Sequence, residues 1–360
     1  MQYFKIGGME AVVKELVMNS SEHITPIVCA LRKVGFVSED LREAGFQVTL
    51  IGLFPSGWDR IRTIHEIGKV INYYYIDILH CHDIGAWFYG VIAGKIYRVR
   101  RIFHTRHGFL EHQSKTTILL SRLLSHFTDR IVAVSPEVRH NMLQKEHLNR
   151  KKIKVIYNGI NLDRFQISIT RKEAKGRLMI DDKTFVLGTV TRFYPVKNVE
   201  MQLELVHRLK DKIPNFRLLI VGPKTDHGGR RIENMIKNRK LEKYITLLGF
   251  RQDVPQILKA IDVFIITSFS EGTSMSILEA MASKCAIVAS AVGGTPHIIE
   301  HMRTGLLFDV DSLRDLYDAV LSLYLRKDLR KQISKQAFIA VQQFSVQSMA
   351  QHYERLYHTL

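Results

Sequence analysis

Cysteine is scarce in this chain. Its only cysteines, Cys29, Cys81 and Cys285, are scattered and form no C-x-x-C pair. That spacing excludes a disulfide framework and a cysteine zinc site, and it points to reduced, buried thiols. Long apolar runs are missing as well, since no window reaches the about 18 uninterrupted apolar residues of a membrane-spanning helix. The best stretch, Gly85 to Ala93, is short and is followed by Lys95. The opening residues lack the basic start and apolar core of a secretory leader, so retention in the cytoplasm is expected. No repeat of solenoid length and no low-complexity tract is present. Acidic side chains are the last shortage: 35 Asp and Glu stand against 52 Lys and Arg, leaving a net charge of +17.

The excess is spread along the chain. Residues 1–165 hold 23 basic and 15 acidic side chains, a net +8, and the remainder carries +9. Local clusters occur at Arg98, Arg100, Arg101 and Arg106 and at Arg150, Lys151, Lys152 and Lys154. Such a surface attracts phosphates of any kind, including nucleotides and anionic lipid headgroups. Nucleic acid is set aside as a partner because charge alone favours it and no reading motif accompanies the charge.

A chain of 360 residues exceeds one typical hydrophobic core, so two domains are expected. Short β-rich runs alternate with amphipathic stretches, first at Ile24 to Cys29, Phe46 to Ile51, Ile76 to His80, Arg101 to Thr105, Arg130 to Val134 and Ile153 to Ile156. The rhythm breaks over Asn161 to Lys183, which reads as a linker, and restarts at Phe185 to Val190. Further runs follow at Arg217 to Val221, Tyr244 to Leu248, Val263 to Thr267, Ala286 to Ser290 and Gly305 to Phe308. Repeated βαβ units of this kind predict an α/β protein of two doubly wound, parallel-sheet domains, residues 1–165 and 166–340. From Asp311 onward the pattern is helical, and a last helix over 341–360 is expected to pack back on the first domain. Ligands of such sheets bind at the carboxyl ends of the strands.

Those ends carry the chemistry. Gly7-Gly8-Met9-Glu10 opens the first helix, where two glycines allow close backbone approach to an anion. His107, in His104-Thr105-Arg106-His107-Gly108, closes a strand and can donate to a phosphate or serve as an acid or base near neutral pH. His82-Asp83 sits similarly after the preceding strand, where the aspartate can cap a helix. In the second half Arg192 and Lys197 share one loop, a pair of fixed cations suited to a diphosphate as ligand and leaving group. Gly222 and Arg251 end the next two strands. Glu271-Gly272-Thr273-Ser274-Met275-Ser276 then leads into a helix carrying Glu279. Helix-start amides there suit phosphate oxygens, while two carboxylates suit hydroxyls of a sugar and a ribose. The structural alternative makes each of these a cap, a turn or a solvated charge.

Taken in order, GGME at Gly7, HTRHG at His104, VSPEV at Val134, NGINLDRF at Asn158, TRFYPVKN at Thr191, VGP at Val221, LGFRQDV at Leu248, EGTSMSILEAMA at Glu271 and VGGTP at Val292 resemble the GT-B retaining glycosyltransferases of family 4 over nearly the whole chain. The resemblance implies two Rossmann-like domains facing a deep cleft. The first would receive a glycan or lipid-linked acceptor, and the second would hold a nucleotide diphosphate sugar. It implies transfer with retention, needing no metal and no cofactor. Glu271, Arg192, Lys197 and His107 would be catalytic; Gly8, Gly222, Arg251, Gly272, Thr273, Ser274, Met275, Ser276 and Glu279 would bind the donor. Synthesis of a surface polysaccharide or lipopolysaccharide at an anionic membrane surface is the expected setting.

The sequence departs from the family pattern in places. Lys284 occupies a position where a left-handed glycine commonly ends the motif helix, which should cost about 1 kcal/mol or shift the helix end. His297 stands where an acid is frequent. Only six residues precede Gly7, so the first strand is expected to be truncated. Two other readings of the same residues stay open: a nucleotide-sugar-binding protein without turnover, and a sugar-nucleotide 2-epimerase.

Overall fold

The computed structural model describes residues 3–4, 7–52, 57–109, 114–223 and 227–359. The chain divides into two compact units, one of residues 1–159 with 346–360 and one of residues 160–345.

Unit 1 contains β1 (Tyr3–Phe4), β2 (Ile27–Ala30), β3 (Lys33–Val34), β4 (Gln47–Leu50), β5 (Ile78–Cys81), β6 (Arg101–Arg106), β7 (Arg130–Ala133) and β8 (Ile153–Val155). β5, β6, β7 and β8 form one parallel sheet in that order, while β1 pairs with β3 and β2 with β4. β2 starts later than the apolar run suggested, because Pro26 lacks the N–H a ladder needs. The core gathers Trp87, Ile102, Ile131 and Ala133 between the sheet and its helices. The C-terminal helix Val346–His358 belongs to this unit and buries Met349, Tyr353 and Leu356.

Unit 2 contains β9 (Phe185–Val190), β10 (Phe216–Val221), β11 (Ile245–Gly249), β12 (Val263–Ile266), β13 (Ala286–Ser290) and β14 (Leu306–Phe308). All are parallel, in the order β11-β10-β9-β12-β13-β14. Near-continuous apolar runs such as Val263–Ile266 are buried on both faces, as a parallel sheet covered by helices requires. Strand order reverses between β9 and β12, so helices leave these neighbours toward opposite faces and a crevice opens beyond their carboxyl ends.

The chain passes between units at residues 159 and 160, and again at 345 and 346, rather than at 165 and 340. Ile160 is buried and donates its amide to the Phe344 carbonyl, and Val341 and Phe344 are buried with unit 2. The expected linker also holds the helix Arg171–Arg177, closed by a Thr170–Glu173 capping box. This helix is anchored by charge: Asp262, itself buried, takes Lys175 at 3.2 Å and Arg171 at 2.8 Å. Hydrophobic periodicity carries no trace of such an anchor.

Candidate functional site

The reversal point of unit 2 places the loop after β9 beside the loop after β12. Lys197, from the first, donates to Glu271 Oε1 of the second at 2.9 Å. Ser268 donates to the same oxygen at 2.6 Å. The loops are sewn together around this pair: Thr267 Oγ1 donates to the Asn198 carbonyl at 2.8 Å, the Phe269 amide donates to Val196, and Gln202 donates to Thr267. Gly294 donates its amide to the Glu271 carbonyl, and Ser290 Oγ donates to the Ser268 carbonyl. Glu271 is thus buried and fixed by its neighbours. Lys197 is held at the end of a 3-10 turn, Pro195–Lys197, that Asn198 closes in the left-handed region at φ 46°.

Arg192 lies exposed on the same loop, its guanidinium 4.9 Å from the Tyr194 ring centroid, and among the described residues it pairs with no carboxylate. Lys197 therefore gives one of its three N–H donors to Glu271, and Arg192 meets no described carboxylate. Thr273 and Ser274 are buried, Gly272, Met275 and Ser276 partly so, where the helix Met275–Ala282 begins. Ser274, its N-cap, makes no side-chain cap bond, and its hydroxyl lies 3.3 Å from that of Ser276. Glu279 is half-buried in the second turn of this helix. Burial pushes its carboxyl up to about 7, against a weaker pull from Arg164. The two glutamates differ in state: Glu271 is ion-paired, and Glu279 is poised between acid and carboxylate.

The remaining donor-side candidates divide. Gly222 has a packing reason of its own, because a Cβ there would come within 1.9 Å of the Thr191 carbonyl oxygen. Arg251 forms a two-pronged pair with Asp253, with Nε at 2.7 Å and Nη2 at 2.5 Å from its oxygens. That partner satisfies the guanidinium without a ligand. Gly8 is the exposed first residue of the helix Gly8–Met18 and belongs to unit 1, whereas the other donor-side candidates belong to unit 2.

Unit 1 carries a second group of functional side chains. His107 Nε2 lies 2.9 Å from His82 Nδ1. The His82 ring packs on His80, with centroids 4.0 Å apart. His80 in turn bonds Tyr357 Oη at 2.7 Å and Thr105 Oγ1 at 2.8 Å. His104 stacks flat on Trp87 at 4.1 Å and bonds the Cys81 carbonyl. Arg106 is buried in a two-pronged pair with Glu146, both bonds 3.1 Å. Burial holds these imidazoles neutral: His107 falls to about 4 and His80 to about 3, and His82 and His104 drop well below the usual range. The described residues contain no group of three His, Cys, Asp or Glu able to hold a metal ion.

His80 and the tyrosines of the last helix escaped the sequence reading, which placed His82 at a strand end without its contact to His107. A signal for the histidines exists in Leu79-His80-Cys81-His82 and His104-Thr105-Arg106-His107. Along a strand, residues two apart share a face; the register sets His80 beside Phe103, so Thr105 shares that face, and His82 and His107 follow just past the ends of β5 and β6.

Comparisons with known proteins bear on the family and the fold. A family model described as "Glycosyl transferases group 1" matches residues 170–339, and one described as "Glycosyltransferase Family 4" matches residues 6–164. The chain is 27% identical over 274 residues to the UDP-Gal:alpha-D-GlcNAc-diphosphoundecaprenol alpha-1,3-galactosyltransferase of Escherichia coli, covering 72% of this chain and 70% of that protein. It is 26% identical over 324 residues to the putative glycosyltransferase EpsD of Bacillus subtilis, covering 83% and 82%. Among solved structures, Anabaena HepE in complex with UDP and glucose superposes with a TM-score of 0.89 at 22% identity, covering 100% of this chain and 98% of that one.

Proposed function

Because the chain belongs to the group 1, family 4 glycosyltransferases of GT-B fold, we propose that it moves a sugar from a UDP-sugar to a lipid-linked glycan acceptor, with retention and without a metal ion. The observation that carries this reading is the Lys197–Glu271 pair beside Arg192 at the strand-order reversal of unit 2. A diphosphate arriving there meets two cations fixed on one loop. Arg192 and Lys197 offset its charge, most strongly as the leaving group develops it. Glu271 and Glu279 accept hydrogen bonds from the sugar and ribose hydroxyls, and the amides at Ser274 to Ser276 face the phosphate oxygens. The bond from the anomeric carbon to the diphosphate oxygen breaks, and the bond to the acceptor oxygen forms on the same face. The acceptor hydroxyl's proton passes to the departing diphosphate. We assign His107 a hydrogen bond to a hydroxyl of the reacting substrates.

The uridine base is supported by the HepE complex, and the lipid-linked acceptor by the substrate of the E. coli relative. Transfer and hydrolysis of UDP-, GDP- and ADP-sugars, measured with EDTA present, test the proposal. UDP-sugar turnover is expected, falling about 10²- to 10³-fold in Glu271→Ala and Arg192→Ala, the scale for loss of one charge-stabilising group. Unchanged turnover in both variants removes the site assignment. Binding without any turnover leaves the nucleotide-sugar-binding reading, and a changed sugar nucleotide leaves the epimerase.

No helix of the described residues is long and apolar enough to cross a membrane. A peripheral position at the inner face of an anionic membrane is supported by Arg139, Arg150, Lys151 and Lys154, which line one surface cavity of unit 1 with no carboxylate among its lining residues. Flotation with phosphatidylglycerol vesicles but not with phosphatidylcholine vesicles is expected at low salt.

A further inference from the structure

We infer that His82 is a positioning residue for His107: it fixes which nitrogen of the His107 ring carries the proton and keeps a lone pair on His107 Nδ1 for a substrate hydroxyl. The inference rests on the proposed role of His107 at the reacting substrates, and its own content is the tautomer.

The two rings meet through His82 Nδ1 and His107 Nε2, 2.9 Å apart. His107 Nδ1 is buried and has no hydrogen-bond partner among the described residues. Burial keeps both imidazoles neutral. Two neutral rings have four nitrogens and two N–H protons, and the bond between the rings takes one of them. The other sits either on His107 Nδ1 or on His82 Nε2. A buried N–H without an acceptor is rarer than a bare acceptor, and His107 Nδ1 is a buried atom without a partner whereas His82 Nε2 is not, so the second proton goes to His82 Nε2. His107 Nε2–H then donates to His82 Nδ1, and His107 Nδ1 presents its lone pair.

His82 can enforce this because its own ring plane is held. His80 packs against it at 4.0 Å, and both nitrogens of His80 are engaged, one by Tyr357 and one by Thr105. Thr105 also meets Tyr353 at 3.1 Å. The C-terminal helix thereby braces His80, which braces His82, which orients His107.

Nuclear magnetic resonance of the protein labelled with 15N-histidine reads the tautomer directly, with the His107 signals identified by their loss in His107→Gln. The wild type is expected to show a protonated Nε2 and a bare Nδ1. In His82→Asn the side-chain oxygen can replace the lost acceptor, so the tautomer and kcat should stay within a few-fold of wild type. In His82→Leu the His107 signals should shift toward a mixture of tautomers, and kcat should fall about 10- to 100-fold, as when a histidine loses its orienting partner. KM for the UDP-sugar should move less than about twofold, since the diphosphate and ribose contacts are assigned to Arg192, Lys197 and Glu279 and not to His82. A wild-type His107 protonated at Nδ1 overturns the inference, as does a His82→Leu enzyme with unchanged kcat where His107→Ala is inactive. Full turnover in His107→Ala instead overturns the role of His107, and the tautomer measurement still decides what His82 does. Should His82→Leu fail to fold, the wild-type spectrum and His82→Asn decide.

Discussion

Glu279 shows how burial tunes one side chain for its ligand. With its carboxyl pushed up to about 7, it is ionised in only part of the population at neutral pH. The carboxylate accepts hydroxyl hydrogen bonds more strongly than the protonated acid, so UDP is expected to bind more tightly as pH rises from 6 to 8, by up to about tenfold. Titration calorimetry of wild type against Glu279→Gln isolates this share, because the variant should lack it; parallel pH profiles would remove Glu279 from the ribose. The sign for stability follows from the same raised value. Its contribution is complete below the unfolded value near 4.3 and is lost as pH rises through about 7.

Lys284 is a second residue out of its usual setting. The helix end does not shift to relieve it: Lys284 takes the left-handed conformation at φ 61°. Its amide bonds the Met281 carbonyl and that of Cys285 bonds Ala280, the bond pair that normally ends on glycine. A compensating contact places its ammonium 4.5 Å from the Phe338 ring centroid. Strain of about 1 kcal/mol and a cation–π gain of about 0.5–1 kcal/mol nearly cancel. Lys284→Ala keeps the strain and loses the contact, so it should destabilise by about 0.5–1 kcal/mol in urea unfolding. Lys284→Gly should come within about 0.5 kcal/mol of wild type. The order glycine above alanine is the check.

Among the elements, the carboxyl end of β10 constrains the loop that carries Arg192. Gly222 packs against the Thr191 carbonyl, one residue before that arginine. Gly222→Ala must push the two backbones apart, at about 1–3 kcal/mol for overpacking. The displaced loop should lower sugar transfer further than the loss of folded protein accounts for. Melting temperature and turnover measured on the same preparation separate the two effects, and wild-type values of both would show that the contact yields freely. The same elements mark what could be read in advance. β9 and β13 fall where the apolar runs put them, since a strand buried on both faces announces itself by composition. The candidate residues Arg192, Lys197 and Glu271 were legible as strand-end residues. The direct Lys197–Glu271 ion pair was not, because periodicity does not tell which strands lie side by side, and only the order β9-β12 joins their loops. The Arg171–Arg177 helix stayed hidden because a buried ion pair, not an apolar stripe, holds it.

At the scale of the whole molecule, the neutral histidines set the response to acid. Each has a folded value below its unfolded value near 6.5, so its stabilising contribution is fully present above 6.5 and is lost as pH falls toward the folded value. Below 6.5 each such group costs up to about 1.4 kcal/mol per pH unit. Glu279 works in the opposite direction over part of the same range, one group against the four buried imidazoles of unit 1. The histidines should prevail, and a few pH units of such loss are comparable with a domain's entire stability of about 5–15 kcal/mol. The melting temperature should therefore fall steeply between pH 6.5 and 5, before exposed Asp and Glu side chains begin to titrate. Scanning calorimetry at pH 7.5, 6.5, 5.5 and 5.0 at constant ionic strength measures this. A melting temperature that holds or rises down to pH 5 would mean that the imidazoles take up protons without opening the fold. The cluster around His107 would then be a wet site, and the assignment of fixed neutral tautomers there would fall with it.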